Sequence, residues 1–90
     1  ESATEMVNKI RAYTPWPGCF IFLGGKRLKI TKAECNEQKN DPGKWFLLEG
    51  KLSLGTKNGT FMPLRVQLEG KKEVEAKEFL KGNKVLFGLN

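Results

Sequence analysis

The first thirteen residues carry the hydrophobic pattern of an amphipathic α-helix. Ser2 followed three residues later by Glu5 is a capping box, in which each side chain bonds the backbone N–H of the other residue. Apolar side chains recur at helical spacing on one side, at Ala3, Met6, Val7, Ile10 and Tyr13. We predict a helix over residues 3–13 that packs its apolar side on the remaining fold and leaves Lys9 and Arg11 toward solvent.

A sharp corner and a β-hairpin are predicted after the helix. Pro15 and Pro17 end the helix, because proline lacks a backbone N–H and disfavours helical geometry in the preceding residue. Two period-two runs, residues 18–23 and 26–35, are joined by Gly24-Gly25, a pair typical of a tight hairpin turn. The polar side chains expected on the outside of the second strand are those of Arg27, Lys29 and Thr31.

The register of this hairpin predicts two free cysteines. If Leu23 pairs with Lys26, Cys19 lies opposite Ile30, and Cys35 lies five residues farther along, about 17 Å away. A disulfide requires Cα atoms within about 7 Å. We therefore expect reduced thiols, consistent with a cytosolic protein.

Three further strands follow the polar loop of residues 36–43. Lys44–Glu49 contains four successive apolar side chains, a pattern typical of burial on both faces. Alternation over residues 52–57, the Asn58-Gly59 turn signal and a run over residues 60–68 predict a second hairpin. Pro63 cannot donate to a strand ladder and is expected at an edge or a bulge. The inward side chains of the last strand should be those of Leu64, Val66 and Leu68.

The carboxyl-terminal part is predicted to form a turn, a short helix and a tail. Gly70-Lys71-Lys72 forms the turn, and residues 74–81 form a helix ended by Gly82. The tail, residues 83–90, either adds an edge strand or lies loosely over the core. The chain as a whole is predicted to be mainly β, a small Greek-key β-barrel with an N-terminal helix and a short C-terminal helix.

Composition places the chain among small globular domains with an anionic partner. Its 90 residues fit a single domain, residues 1–90, and Glu1 in place of an initiator Met suggests a fragment of a longer or processed polypeptide. Sixteen Lys and Arg against ten Asp and Glu give a net charge of +6, which favours nucleic acid or a membrane surface but also serves solubility. No apolar run approaches the roughly 20 residues that span a bilayer, so we expect no membrane insertion.

The residues required by common catalytic sites are missing from the sequence. It contains no His, which removes His-based acid–base catalysis and most zinc sites. The two cysteines are far apart, the carboxylates are scattered among lysines, and there is no phosphate-binding G-x-x-x-x-G-K-[ST] loop. We expect no catalysis by this chain, no metal and no cofactor.

Three sequence blocks in a fixed order carry a family resemblance. The first contains Ile10, Arg11, Ala12, Pro15, Trp16, Pro17, Gly18, Gly25, Lys26, Leu28, Lys29 and Ile30. The second is Asp41-Pro42-Gly43, and the third contains residues 66–72, Ala76, Phe79, Leu80 and Gly82. Together they span residues 3–82 and resemble the carboxyl-terminal domain of the methionyl-tRNA formyltransferase family.

The resemblance implies an accessory role in a larger enzyme. In that family a helix precedes an OB-like barrel, and the folate site and catalytic Asn-His-Asp group lie in an amino-terminal Rossmann-like domain that is absent here. The implied partners are tRNA, initiator Met-tRNA in the parent enzyme, and the catalytic domain of the same polypeptide. A cytoplasmic, monomeric protein is expected.

Basic side chains are the candidate phosphate contacts, because cations that neutralise phosphates position an RNA while reading little of its sequence. The acidic residues Glu69, Glu73, Glu75 and Glu78 interleave with the second half of this set and weaken the case for it. The alternative is a solvated surface. The candidates are Lys26, Arg27, Lys29, Lys32, Arg65, Lys71, Lys72 and Arg11.

The proline corner is the candidate interdomain hinge, formed by Pro15, Trp16, Pro17 and Gly18. Trp16 is expected to pack there as a plug rather than to stack on bases, and Trp45 is expected in the core. Two rival functions remain: a domain that braces a related formyltransferase or formyl-folate hydrolase without binding RNA, and a free-standing barrel that binds a protein or an acidic glycan.

Overall fold

The computed structural model describes residues 1–89 and contains in them two α-helices, six β-strands and one 3₁₀ helix. The helices are α1 (Ala3–Tyr13) and α2 (Ala76–Leu80), and the 3₁₀ helix is Lys84–Phe87. The strands are β1 (Cys19–Leu23), β2 (Lys26–Asn36), β3 (Trp45–Leu48), β4 (Lys51–Gly55), β5 (Thr60–Leu68) and β6 (Val74–Glu75). The predicted mainly β fold with a helix near each end is confirmed.

Helix α1 begins and ends where its capping signals predict. The Ser2 hydroxyl accepts a hydrogen bond from the Glu5 backbone N–H at 3.2 Å, and the Glu5 carboxylate accepts one from the Ser2 N–H at 2.8 Å. Thr14 is extended and ends the helix directly before Pro15. Ala3, Val7 and Ile10 are buried and Met6 packs partly buried against the core, so four of the five predicted apolar positions take part in the packing, whereas Tyr13 is exposed.

The strands form one antiparallel sheet in the order β1-β2-β5-β4-β3, with β6 beside β5. The hairpin register is confirmed, since Leu23 lies opposite Lys26 and Cys19 lies opposite Ile30. Both cysteines are free, as that register requires.

Strand β5 is the centre of the sheet because it is the middle strand of the order and pairs with three other strands. Along one edge it pairs with β2, and along the other with β4 at Thr60 and Phe61 and with β6 at Arg65 and Val66. Pro63 lies between those two contacts, opposite a register shift in β2, so the predicted edge or bulge position is confirmed.

The sheet is not closed into a barrel within residues 1–89, because β1 and β3 stand at the two ends of the strand order. Strand β3 is therefore an edge strand, and the prediction that it is buried on both faces is wrong, since Leu47 is exposed. Trp45 packs its inner side against the core, as expected.

The 3₁₀ helix lies between these two ends. The Phe87 ring centroid is 4.9 Å from that of Trp45 on β3, and a Cβ built on Gly24 in the β1–β2 turn would lie 3.4 Å from Leu86. The carboxyl-terminal segment thus occupies the side on which a barrel would close. It is neither an edge strand nor loosely attached, because Phe87 is buried in the core; Asn90 lies outside the described residues.

The short helix is shorter than predicted. Val74 and Glu75 extend the sheet as β6, and α2 begins only at Ala76. Gly82 follows the helix with φ +89°, a conformation suited to glycine. The core of the domain is shared by α1, the inner face of the sheet, α2 and Phe87.

Candidate nucleic-acid interface

One face of the sheet brings together four of the eight predicted basic side chains. Residues directly opposite one another in an antiparallel pair project to the same face. Phe20 lies opposite Lys29, and Lys29 lies opposite Gln67. The neighbouring inward residues, Leu28 and Ile30, are buried in the core. We call the opposite side the outer face; it is formed by Phe20, Phe22, Arg27, Lys29, Lys32, Arg65 and Gln67.

Lys32 joins the outer face through the irregularity in β2. The register between β2 and β5 shifts on either side of Lys32, which places this residue opposite Arg65. Without the shift, strict alternation from Lys29 would turn Lys32 inward. Lys26, by contrast, lies opposite the buried Leu23 and therefore belongs to the other face of the hairpin, at its exposed tip.

Arg27 lies over an aromatic ring. Its guanidinium carbon is 4.6 Å from the centroid of the Phe20 ring, within the range of a cation–π contact. The Arg27 backbone N–H donates a hydrogen bond to the Glu69 carboxylate, and the Glu69 N–H donates to the Arg27 carbonyl at 3.0 Å. These bonds fix the backbone that carries the Arg27 side chain.

Lys29 connects the outer face to the proline corner. Its Nζ donates a hydrogen bond to the Pro15 carbonyl oxygen at 2.9 Å. Its side chain passes so close to Gly18 that a Cβ there would lie 2.7 Å from Lys29 Cε, and Gly18 also has φ +95°. The positive φ favours glycine at this position, whereas the flexible end of the Lys29 side chain can move away from a Cβ.

Trp16 does not pack as a plug within this chain. Its side chain is 84% exposed, although the Lys29 hydrogen bond holds the adjacent Pro15 against the sheet. The expected packing is wrong because Trp16 lies in the turn of residues 14–17, outside both the helix and the strand, and is exposed to solvent there. An interdomain role for Pro15, Trp16, Pro17 and Gly18 stays a prediction.

Arg65 already has an acidic partner. Its Nε is 2.6 Å from the Glu73 carboxylate, and this hydrogen bond lowers the pKa of Glu73 below its ordinary value. Within residues 1–89, none of Arg27, Lys29 and Lys32 forms a salt bridge. These three cations are therefore the ones that an anionic ligand meets without competition from a paired carboxylate.

A basic groove adjoins the outer face at the part of β5 between β4 and β6. It has a volume of about 390 Å³ and combines the apolar side chains of Pro63 and Leu64 with a set of cations. The cations lining it are Lys32, Lys51, Arg65 and Lys77. Sequence reasoning missed Lys51 and Lys77, because only the pairing of β4 and β6 along one strand brings them together.

The remaining predicted cations lie elsewhere. Lys71 and Lys72 are exposed in the turn after β5, where the Lys71 carbonyl accepts a hydrogen bond from the Gln67 side chain at 2.9 Å. This places the turn at the rim of the outer face. Arg11 is exposed on the last turn of α1, a helix that packs on the inner side of the sheet, so the structure does not bring it to the outer face.

Two exposed aromatic side chains were missed in the sequence. Phe22 is 72% exposed and Phe20 is 38% exposed. The register that pairs Leu23 with Lys26 already places Phe22 opposite Arg27 and Phe20 opposite Lys29. The hairpin register was therefore the signal that could have found them.

The described residues contain no cluster of metal-binding side chains and no helix that could span a membrane. Within residues 1–89, no group of three or more His, Cys, Asp or Glu side chains is placed to hold a metal ion. No helix in the same range is long and apolar enough to cross a membrane.

Comparison with known proteins identifies the family. Residues 1–84 match the family model described as formyl transferase, C-terminal domain. The chain is 38% identical over 89 residues to a methionyl-tRNA formyltransferase of Thermodesulfovibrio yellowstonii, which covers 99% of this chain and 29% of that protein. It is 38% identical over 88 residues to the methionyl-tRNA formyltransferase of Myxococcus xanthus, covering 96% of this chain and 28% of that protein.

A third relative gives the same result. The methionyl-tRNA formyltransferase of Geobacter sulfurreducens is 36% identical over 80 residues, which covers 87% of this chain and 25% of that protein. The chain thus spans less than a third of the length of these relatives. It belongs to the family of formyl transferase C-terminal domains.

Proposed function

We propose that this chain is the tRNA-binding accessory domain of a methionyl-tRNA formyltransferase. The relatives carry that enzyme's name, and the chain matches less than a third of each of them. The observation that carries the proposal is the position of Arg27, Lys29 and Lys32 on one face of the sheet, without salt-bridge partners among residues 1–89.

The outer face acts by holding the RNA rather than by chemistry. Arg27 and Lys32 neutralise backbone phosphates, and Lys29, held by Pro15, supplies a cation in a fixed position. The chain itself is non-catalytic. In the complete enzyme, a catalytic domain of the same polypeptide transfers the formyl group from 10-formyltetrahydrofolate to initiator Met-tRNA in the cytoplasm, and this domain orients the tRNA for that step.

A pair of charge-reversal variants tests the proposal. The test variant replaces Arg27, Lys29 and Lys32 by Glu, and the control replaces three exposed lysines of the loops, Lys39, Lys44 and Lys57, by Glu. Both variants take the formal net charge from +6 to zero, so they differ only in which surface has changed. The dissociation constant for tRNA is measured by fluorescence anisotropy, and folding is checked by circular dichroism.

The test variant should bind tRNA at least about tenfold more weakly than the control, and by a similar factor for initiator and elongator tRNA, because phosphate contacts read no sequence. Equal weakening of both variants would show that overall charge, not the outer face, governs binding. Loss confined to initiator tRNA would also contradict the proposed phosphate contacts.

A second candidate function is bracing of the catalytic domain through the proline corner. The observation that favours it is Trp16, which is 84% exposed on a corner held to the sheet by the Lys29 hydrogen bond. Hydrogen exchange distinguishes the two candidates. If the corner docks on the catalytic domain, the amides of Trp16, Gly18 and Cys19 exchange more slowly in the full-length enzyme than in this chain; equal exchange would refute the bracing role.

A further inference from the structure

The outer face contains an aromatic and cationic cluster that phosphate binding does not explain. We define the hairpin cluster as Phe20, Phe22 and Arg27. Phe22 is 72% exposed and projects from β1, a strand at the end of the sheet. Exposed aromatic side chains grouped on one face are characteristic of a binding surface. A surface that only neutralised phosphate would gain nothing from them.

The hairpin cluster combines two aromatic rings with one planar cation, the Arg27 guanidinium. Arg27 lies directly opposite Phe22, and its guanidinium carbon is 4.6 Å from the Phe20 ring centroid. Arg27 is exposed, so its guanidinium is accessible from solvent while it contacts the Phe20 ring. The cluster therefore presents the Phe22 ring and the Arg27 plane side by side, both suited to stacking against a flat ring.

The supporting structure holds these side chains in place before any ligand binds. The backbone N–H and carbonyl of Arg27 both form hydrogen bonds with Glu69, and Arg27 lies opposite Phe22 in the register with β1. The Phe20 ring lies beside Gly18, where a Cβ would come within 3.4 Å of it. Little ordering is needed on binding, which favours affinity.

We propose that the hairpin cluster binds unpaired nucleobases of the RNA by stacking. This inference rests on the proposed function and adds which part of the RNA meets the outer face: a loop or single-stranded segment, not a paired helix. Bases in a duplex are stacked on each other and offer no free ring face, whereas splayed-out bases stack on aromatic side chains and on Arg.

Charge complementarity favours RNA over an apolar protein partner. Lys29 and Lys32 flank the hairpin cluster on β2, and neither forms a salt bridge within residues 1–89. An apolar partner seated on Phe22 would remove Arg27 and Lys29 from water without a counter-charge, which is unfavourable. A single-stranded nucleic acid supplies a ring for Phe22 and phosphates for these cations together.

The test compares two RNA probes with the same number of phosphates: a single-stranded oligouridine and a blunt duplex. Variants of this chain separate stacking from charge. Phe22→Leu keeps an apolar side chain but removes the ring, Phe22→Tyr keeps the ring, and Leu47→Ala removes an exposed apolar side chain from β3 as a control. Dissociation constants are measured at several salt concentrations.

We expect the native chain to bind oligouridine more tightly than the duplex. Phe22→Leu should weaken oligouridine binding at least about fivefold, the lower end of the loss for one stacked base. Its salt dependence and duplex binding should stay unchanged, because no cation is removed. Phe22→Tyr and Leu47→Ala should both bind oligouridine as the native chain does.

Other outcomes overturn the inference in distinguishable ways. Equal binding of both probes, unaffected by Phe22→Leu, would leave the proposed phosphate contacts standing and refute stacking. Absence of binding to either probe, and to tRNA, would refute both. Self-association that sedimentation detects and Phe22→Leu abolishes would assign the hairpin cluster to a contact between copies of this chain.

Discussion

Phe87 should contribute a large share of the stability of this domain. Its side chain is 6% exposed, and its ring makes edge contacts with Trp45, at 4.9 Å between centroids, and with Phe79, at 6.1 Å. Truncating a buried Phe to Ala costs about 3–5 kcal/mol. Because the 3₁₀ helix lies at the end of the chain and can relax into part of the cavity, we expect the lower end, about 3 kcal/mol.

A loss of about 3 kcal/mol is a large part of the free energy of unfolding of the whole domain. At about 0.05–0.15 kcal/mol per residue, a chain of 90 residues has a free energy of unfolding of roughly 5–13 kcal/mol. A decrease of about 3 kcal/mol corresponds to a fall in Tm of roughly 12–24 °C for a domain of this size. Phe87→Ala should therefore remain folded at 10 °C but melt close to room temperature if the native domain is only marginally stable.

The assay is urea unfolding followed by far-ultraviolet circular dichroism. Phe87→Leu keeps an apolar side chain in the site and loses the aromatic contacts, so we expect a cost of about 1 kcal/mol. Val85→Ala, in the same 3₁₀ helix but 82% exposed, should change stability by less than about 0.5 kcal/mol. A Phe87→Ala variant within about 1 kcal/mol of the native chain would refute the claim that this segment is part of the core.

Three further perturbations test particular contacts. Gly55→Ala would bring a Cβ into collision with the Asp41 carbonyl oxygen and displace the loop that makes two backbone hydrogen bonds to Gly55. We expect the free energy of unfolding, measured by thermal unfolding, to fall by about 2 kcal/mol. An unchanged melting curve would refute the close packing. Ser2→Ala removes the helix cap and should cost about 1 kcal/mol in urea unfolding, whereas no change would show that the cap is not formed. Arg65→Gln should raise the pKa of Glu73 toward its ordinary value of 4.5, measured by NMR titration of its carboxyl carbon. Because the ion pair lowers the pKa of Glu73 in the folded state, the pair stabilises the native protein at pH values above 4.5 and stops doing so on acidification. The difference in stability between the native protein and Arg65→Gln should therefore shrink as the pH falls. A difference that stays constant with pH would contradict the ion pair.

Short sequence motifs correctly predicted the elements whose ends are determined by residues close by in the sequence. The capping box and the first proline determine both ends of α1, and the Gly24-Gly25 pair determines the hairpin register. Asn58-Gly59 correctly predicted a turn before β5 but not its length, because β4 ends at Gly55 and Gly55 pairs with Thr60, which makes residues 56–59 a four-residue loop. Each of these signals acts within a few residues and is readable from the sequence alone.

Non-local contacts account for what the sequence did not reveal. The division of one β5 edge between β4 and β6 depends on residues far apart in the chain, and so does the basic groove beside it. The position of Phe87 against Trp45 joins segments separated by about forty residues. For the same reason, the burial of β3 was overestimated, since its place at the end of the sheet is a property of strand order.

The candidate site was predicted in part. The outward phase of β2 correctly grouped Arg27 and Lys29, whereas Lys26, which was a candidate because of its charge, lies on the other face of the hairpin. Lys32 lies on the outer face only because of a register shift in β2, and no pattern in the sequence predicts that shift. The exposure of Trp16 shows that a large apolar side chain does not by itself predict burial, because such a side chain in a turn can remain in solvent.

The salt dependence of tRNA binding by the native chain tests the central claim most directly. Three outer-face cations without salt-bridge partners among residues 1–89, Arg27, Lys29 and Lys32, predict that the logarithm of the binding constant falls against the logarithm of salt concentration with a slope of about −2 to −3. The measurement is fluorescence anisotropy with labelled tRNA between about 50 and 200 mM salt. A slope shallower than about −1, or no binding at the lowest salt, would contradict the claim that this face holds tRNA through its phosphates.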